Sequence, residues 1–380
     1  MTQTDSQPLM ERLVGVSSIV EPFLTLYFTS HCNAACAHCI VESGPRRRGR
    51  MSIETARAAI HGASLIEKMK LLVFSGGESF LHAPEVLELC ECARHLGMKT
   101  RIVTNAFWAK SPERAAEVLE LLARRGLGEL FVSFDEFHLP WIPPERVLNV
   151  FRGAGLADPV VPYVLYCTVV RASRSALERV SSSSGFAWPR MVAETLEAYG
   201  FPVEKCVPQP IAHEIVAKLQ GEARERFKRE MVRERALIAW QDLAQGGRAA
   251  RELRNEFAGD LVGGEALAAC PLSGVQATLA ADGRLFPCCS VWTNWPDHGF
   301  GRPQTPDEFA GLLEAMREDP YVRFIREVGP LHLVDHFRNQ GGFPSERPTN
   351  ICHACESLLA NRSLDQLRAA AREASRADPP

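Results

Sequence analysis

The stretch FLTLYFTSHCNAACAHC, residues 23 to 39, decides the fold and gives the first indication of chemistry. Its first part, FLTLYF, is an apolar run that predicts a buried strand. Three cysteines follow directly, Cys32, Cys36 and Cys39, in the spacing C-x3-C-x2-C. The sequence therefore predicts a strand whose carboxyl end leads into a short loop rich in metal-binding thiols.

Three thiolates on one short loop suit an iron-sulfur cubane. A closed cluster takes four cysteine ligands, so a set of three leaves one iron with an open coordination position. An open position indicates chemistry rather than structural support. The alternative is a zinc knuckle in which His31 or His38 completes a Cys3His site.

Composition excludes several classes of function. The 380 residues are 46% hydrophobic and include 43 basic and 46 acidic side chains, which gives a net charge of -3. This balance provides no basic field for nucleic acid. No apolar run approaches the roughly 18 residues that a membrane span needs, and the first residues do not resemble a secretory signal. Twelve cysteines without such a signal indicate metal or redox use, and we expect a cytoplasmic protein.

The first 210 residues alternate strand patterns with helical patterns. Strands are predicted at 23–28, 70–75, 99–104, 130–134, 161–170 and 203–208, and helices at 52–66, 84–96, 112–125, 143–152 and 190–199. Strand-helix units of about 30 residues require parallel strands joined by right-handed crossovers. The predicted fold class is α/β, a six-stranded (β/α)6 partial TIM barrel with a small cysteine-rich carboxyl-terminal extension. Sites in such barrels lie at the carboxyl ends of the strands, where the cysteine loop falls.

The second predicted strand ends in Ser75-Gly76-Gly77-Glu78. Two glycines allow the backbone to approach a ligand closely, and the carboxylate can receive an ammonium group. Together with the C-x3-C-x2-C loop, this motif resembles the radical S-adenosylmethionine (radical SAM) superfamily. The resemblance implies a 4Fe-4S cluster whose open iron is chelated by SAM. An electron from the cluster then cleaves the sulfonium, and the 5′-deoxyadenosyl radical abstracts hydrogen from a substrate.

The resemblance also implies a SAM-binding set. Its members are His38, Gly76, Gly77, Glu78, Asn105, Ser133 and Asp135. His38 occupies a position that is usually aromatic in the family, and Ala106 replaces the glycine of the usual Thr-Asn-Gly. Ser133 and Asp135 share one face of the fourth strand, and their alternative role is a turn or a helix cap. Glu136 and His138 are candidates for acid-base chemistry on the substrate.

A second cysteine set lies near the carboxyl terminus: Cys270, Cys288, Cys352 and Cys355. The segment ATLAADGRLFPCC predicts a hairpin with an Asp-Gly turn. Judged alone, the set also suits a zinc ribbon. Its spacing resembles the SPASM/twitch extension of radical SAM enzymes, which implies one auxiliary 4Fe-4S cluster. A full SPASM domain has seven cysteines, so the shorter twitch form is the better match, with Cys289 as a non-ligand.

The predicted domains follow from these motifs. They are an amino-terminal segment (1–21), a radical SAM core (22–212), a helical connector (213–266), a twitch-like auxiliary cluster domain (267–360) and a tail (361–380).

The predicted function is that of a radical SAM oxidoreductase that oxidises or crosslinks its substrate in natural-product or peptide maturation. Peptide-modifying relatives often carry an amino-terminal leader-binding domain, whereas about 21 residues precede the first strand here, which weakens the peptide interpretation. The first alternative is a dehydrogenase or rearrangement enzyme for sugars or aminocyclitols. An alternative of another class is a non-catalytic zinc-binding scaffold. The expected partners are SAM, a peptide or small-molecule substrate and a reductant such as flavodoxin or ferredoxin, with no nucleic acid and no membrane.

Overall fold

The computed structural model describes residues 22–135, 137–157, 164–171, 206–208, 236–242, 244–253, 269–341, 343–344 and 348–377. The chain divides into two compact units. One, here called the cysteine unit because it contains both cysteine sets, comprises Val20–Leu81, His95–Met98 and Ala244–Pro380. The described part of the second unit lies within His82–Arg94 and Lys99–Leu243.

The described strands are β1 (Phe23–Thr29), β2 (Leu71–Gly76), β3 (Lys99–Thr104), β4 (Glu129–Ser133), β5 (Val164–Arg171), β6 (Cys206–Pro208), β7 (Ala236–Asp242), β8 (Gln276–Leu279) and β9 (Leu285–Phe286). The described α-helices are α1 (Ile53–Ser64), α2 (Ala83–His95), α3 (Pro112–Arg124), α4 (Pro144–Leu156), α5 (Arg248–Glu252), α6 (Pro306–Glu318), α7 (Pro320–Glu327), α8 (Pro330–Asn339), α9 (Ile351–Asn361) and α10 (Leu364–Ala377). Among the described residues, no helix combines the length and the apolar character needed to cross a bilayer.

In the cysteine unit, β1 is the central strand. It pairs in parallel with β2 on one side and with β8 on the other, and β8 pairs with β9 as an antiparallel hairpin. All seven β1 residues are buried, as expected of a strand covered on both faces. The hairpin turns at Asp282-Gly283, where Gly283 has φ +82°, a value that glycine adopts without strain. The predicted Asp-Gly hairpin is therefore confirmed.

The carboxyl-terminal helices pack on the same unit. Helix α1 begins at the cap residue Ser52, whose side chain accepts a hydrogen bond from the Thr55 N–H. It packs against α6 at Gly62, where a Cβ atom would stand 2.7 Å from the Pro306 carbonyl oxygen and 2.8 Å from the Phe309 ring. Glycine is required there because the two helices approach too closely for a side chain.

In the second unit, five parallel strands lie in the order β6-β7-β5-β4-β3. Helices α3 and α4 pack together where Gly153 meets Ala115, with space too small for a Cβ at position 153. The Asn149 side chain donates a 3.0 Å hydrogen bond to the Ala109 carbonyl and ties α4 to the end of the β3-α3 connection.

The α/β fold class is confirmed, and all six predicted strands are present with parallel neighbours, as a (β/α)6 partial barrel requires. The predicted helix at 190–199 lies outside the described residues. The helical interpretation of residues 213–266 is wrong for 236–242, which form β7 between β5 and β6. The apolar run ALIAW is short and follows a charged sequence with a helical pattern, so the sequence pattern did not indicate a strand. Pairing of seven β7 residues with β5 outweighs the helix propensity of the sequence.

Candidate functional site

The first cysteine set lies on a loop that begins where β1 ends. Backbone hydrogen bonds hold this loop against the strand end: Ser30 N–H donates to Gly49 O at 2.9 Å, and Cys32 N–H donates to Gly44 O at 3.3 Å. Cys36 is buried and the other two cysteines are half-buried. The loop is thus folded back on itself, with its thiols held at the carboxyl end of the strand.

The three thiols act on one another electrostatically. The pKa of Cys32 is raised to about 12, mainly by burial, with contributions from Glu78, Cys36 and Cys39, whereas the Ala34 N–H lowers it. Burial also raises the pKa of Cys39, whereas the Arg248 guanidinium lowers it. Such thiols become thiolates when a metal centre compensates their charge. Three thiols on one folded loop are the ligand set of a 4Fe-4S cluster with one iron open to another ligand.

The Gly76-Gly77-Glu78 turn docks directly on the cysteine loop. The Gly77 N–H donates to the Thr29 carbonyl at 2.8 Å, and the Glu78 N–H donates to the His31 carbonyl at 2.9 Å. A Cβ atom on Gly77 would stand 2.1 Å from the His31 oxygen, so glycine is required by the close approach. Two motifs separated by some 40 residues in sequence are thereby joined by backbone contacts.

The Glu78 side chain is only 2% exposed. Its Oε1 accepts a 3.0 Å hydrogen bond from the Phe80 N–H, and its charge raises the pKa of the Cys32 thiol. A carboxylate accepts charge-assisted hydrogen bonds from an ammonium group. This position suits the binding of an ammonium group next to the cysteine loop.

The remaining predicted SAM-binding residues at strand ends belong to the second unit. Asn105 follows β3, and its Oδ1 accepts a 3.1 Å hydrogen bond from the Phe107 N–H. Ala106, where the family usually has glycine, is fully buried with φ +62°. Ser133 ends β4 and is partly exposed.

Asp135 forms a tight turn after β4. Its Oδ1 accepts hydrogen bonds from the Phe137 N–H at 3.0 Å and the His138 N–H at 3.1 Å, and it lies 2.7 Å from His138 Nδ1. The turn role considered for Asp135 is thus present, and the same contact fixes the orientation of the His138 ring. Glu136 lies outside the described residues.

The second cysteine set gathers in the carboxyl-terminal part of the cysteine unit. Cys270 lies at the start of the described range 269–341, and its N–H donates to the Ile325 carbonyl at 2.8 Å. Cys352 and Cys355 lie three residues apart on the first turns of α9, hence on one helix face. The charge of Cys270 raises the pKa of both, and the charges of Cys352 and Cys288 add to the rise at Cys355.

Burial is the main reason why the pKa of each of these four thiols is raised, to about 11 for Cys352 and well above the usual range for Cys288 and Cys355. Cys355 is buried and the other three cysteines are half-buried. A set of four thiols suits a closed metal centre. The Cys289 thiol donates to Gln276 Oε1 at 3.6 Å, whereas the charge of Cys288 raises the pKa of Cys355.

Two further residues were missed by sequence reasoning because they act across long sequence separations. The Tyr27 hydroxyl in β1 donates to the Cys289 carbonyl. Burial raises the pKa of Tyr27 well above its usual value, and the charges of Cys289, Cys288 and Cys39 add to this, so the phenol stays neutral. The second is Arg248, whose guanidinium donates to the Cys36 carbonyl at 2.7 Å.

Two solved structures that match this chain are of proteins with bound ligands. Streptococcus suis SuiB bound to its precursor peptide SuiA is 14% identical, with a TM-score of 0.46 over 80% of this chain and 66% of SuiB. The anSMEcpe structure with bound AdoMet and the Cp18Cys peptide is also 14% identical, with a TM-score of 0.45 over 93% of this chain and all of that one.

Sequence comparison gives two further similarities. A Bacillus subtilis (strain 168) protein, "Putative peptide biosynthesis protein YydG", is 27% identical over 129 residues, which are 34% of this chain. The match spans 40% of that relative's length. The model of the radical SAM superfamily matches residues 26–157, which include the C-x3-C-x2-C loop and the Gly-Gly-Glu turn. Residues 26–157 of this chain are therefore similar to the radical SAM superfamily.

Proposed function

We propose that this protein is a radical SAM enzyme that reductively cleaves SAM and abstracts a hydrogen atom from its substrate. The proposal rests on the backbone hydrogen bonds that join the Gly77-Glu78 turn to the cysteine loop. The Glu78 carboxylate is buried there, and its negative charge raises the pKa of the Cys32 thiol. When bound, the 4Fe-4S cluster supplies the electron that cleaves the sulfonium of SAM.

The protein's own residues would hold the cluster and orient SAM. Cys32, Cys36 and Cys39 would hold the cluster and leave one iron for the amino and carboxylate groups of SAM. Glu78 would receive the ammonium group, and a charge-assisted bond at a buried carboxylate is among the strong ones. The family resemblance adds His38, Asn105, Ser133 and Asp135 to the proposed SAM site, with His138 as a weaker candidate for acid-base chemistry.

For the second site we propose an auxiliary 4Fe-4S cluster on Cys270, Cys288, Cys352 and Cys355. Four thiolates leave no iron open, so this cluster would not bind SAM. It would support the fold and accept the electron that a substrate radical must lose, which favours an oxidation. A tetrahedral zinc ion on the same four thiols is the competing occupant.

The proposed substrate class is a peptide. The support is the similarity of residues in this chain to a relative whose name describes peptide biosynthesis, although the match covers less than half of that relative. The reaction type that we favour is oxidation or crosslinking of the peptide.

The test of SAM cleavage uses reconstituted protein under anaerobic conditions with dithionite and SAM. We expect 5′-deoxyadenosine to form with the wild type and not with a variant in which Cys32, Cys36 and Cys39 are all replaced by Ala. The matched control replaces Cys90 and Cys92, two α2 cysteines outside both sets, by Ala. Equal product from the triple variant and the wild type would exclude the proposed function.

A further inference from the structure

A short segment of the cysteine unit connects the first cysteine loop to the helix that carries the last two cysteines. This segment, Gln245–Arg251, is here called the strap. On its loop side, the Arg248 N–H donates to the Cys39 carbonyl at 3.1 Å. The Arg248 guanidinium donates to the Cys36 carbonyl at 2.7 Å and to the Ser43 carbonyl at 2.5 Å.

These three bonds span the cysteine loop from its second ligand to its end. A planar guanidinium with several fixed donors can bind two carbonyls at once, which a lysine ammonium does with less geometric definition. The Arg248 side chain is 12% exposed, and the carboxylate it meets is that of Glu252, at 3.8 Å and 53% exposed. The positive charge of Arg248 therefore lies against the cysteine loop, and its ion pair with the exposed Glu252 carboxylate is a weak one.

On its other side, the strap is anchored to α9. The Gly247 N–H donates to both carboxylate oxygens of Glu356, at 3.1 and 3.0 Å, and Glu356 directly follows Cys355. Gly247 has φ +57°, and a Cβ there would stand 2.2 Å from the Ile40 carbonyl oxygen. The strap is therefore held tightly between the loop and the helix, and Arg248 has little freedom to move away.

We propose that Arg248 is a positioning residue for the three-cysteine site, which holds the Cys36–Ser43 segment in its binding shape and brings a positive charge close to the bound cluster. The inference rests on the proposed function, because it takes the occupant of that site to be a 4Fe-4S cluster. A positive charge near a cluster favours its reduced form, and hydrogen bonding and charge set cluster potentials. Arg248 is thus expected to make the cluster easier to reduce and harder to lose.

The test compares Arg248→Gln, Arg248→Lys and Arg323→Gln in the full-length, reconstituted protein. Arg323 on α7 is the matched control, because it lies in the same unit, is 50% exposed and pairs with Glu318 and Glu327, away from the cysteine loop. The readouts are the midpoint potential of the SAM-responsive electron paramagnetic resonance (EPR) signal and the iron retained on the three-cysteine site after incubation with a chelator.

We expect Arg248→Gln to shift the potential to a more negative value and to lose iron several-fold faster than the wild type. Arg248→Lys should restore the potential, because it restores the charge, but should retain iron less well, because it lacks the double donor. Arg323→Gln should match the wild type in both. If Arg248→Gln keeps the wild-type potential and iron retention, the inference is overturned while the proposed function stands.

Two measurements distinguish a local effect of the Arg248 variants from a loss of the fold. The four-cysteine site should keep its iron in every variant, which shows that the fold is intact. If Arg248→Gln does not fold, the separation of potential from iron retention in Arg248→Lys decides the matter, and a lysine variant equal to the wild type in iron retention overturns the positioning role. A wild type without any SAM-responsive signal would instead contradict the proposed function itself.

Discussion

Gly77 lies so close to His31 that a Cβ atom at position 77 would stand 2.1 Å from the His31 carbonyl oxygen. The Gly77→Ala variant must therefore push the Gly-Gly-Glu turn away from the cysteine loop or break the 2.8 Å bond from Gly77 N–H to Thr29 O. We expect a loss of stability of about 1 to 3 kcal/mol and weakened SAM binding, measured by denaturant unfolding and by equilibrium binding.

The control is Gly311→Ala on α6, where a Cβ would meet no atom within 4 Å. It should leave SAM binding unchanged and raise stability by up to about 1 kcal/mol, since alanine is the better helix former. If Gly77→Ala had the same effect on stability and SAM binding as Gly311→Ala, the close approach of Gly77 to His31 would be contradicted.

Ala106 is a buried alanine with a left-handed backbone, φ +62°. A left-handed conformation costs a residue with a Cβ roughly 1 to 2 kcal/mol, whereas glycine adopts it freely. Ala106→Gly should therefore stabilise the protein, by up to about 1 kcal/mol after the greater chain entropy of glycine is subtracted. Thermal unfolding checks this, with Ala93→Gly inside α2 as a control that should destabilise. A lower melting temperature for Ala106→Gly would show that the strain is absent.

Glu78→Gln removes the negative charge at the proposed SAM site and keeps nearly the same side-chain shape. The glutamine can still accept the hydrogen bond from the Phe80 N–H, so the turn should persist. Loss of the charge-assisted bond to the amino group should weaken SAM binding by about 1.5 to 3 kcal/mol, or roughly 10- to 150-fold. Isothermal titration of reconstituted protein measures it, with the exposed Glu314→Gln as a control. Equal affinity of the Glu78 variant and the wild type would remove Glu78 from the site.

The two adjacent cysteines of the hairpin should differ in effect. Burial raises the pKa of the Cys288 thiol, and the charges of Cys289, Cys352 and Cys270 add to this, whereas the Cys289 thiol donates to Gln276 Oε1. In protein that lacks the first three cysteines, about four irons and four sulfides should remain. Cys288→Ser should reduce this number and Cys289→Ser should not. One zinc without sulfide would replace the auxiliary cluster with a zinc site.

The parts of the fold that sequence predicted are those with local signals. The strand boundaries of β1 to β4 follow from apolar runs that end in turn residues, and the Asp282-Gly283 hairpin follows from its turn chemistry. Strand β7 was missed because its apolar core is short and follows a charged stretch with helical character. Its pairing with β5 is a tertiary effect that local pattern does not reveal.

In the candidate site too, some residues have a local sequence signal and others do not. The cysteine spacings and the Gly-Gly-Glu motif are local and could be predicted from sequence. The contacts of Arg248 with Cys36 and of Tyr27 with Cys289 join residues more than 200 positions apart, and neither residue stands out in its local sequence. Only the folded backbone brings them together.

We propose that the three-cysteine site is open to SAM and that the four-cysteine site is closed. The direct measurement is the EPR spectrum of each reduced cluster with and without SAM, in one variant lacking Cys270, Cys288, Cys352 and Cys355 and in another lacking Cys32, Cys36 and Cys39. We expect SAM to change the spectrum of the first variant and to leave that of the second unchanged. A spectrum of the first variant that does not respond to SAM, or a response in the second, would contradict it.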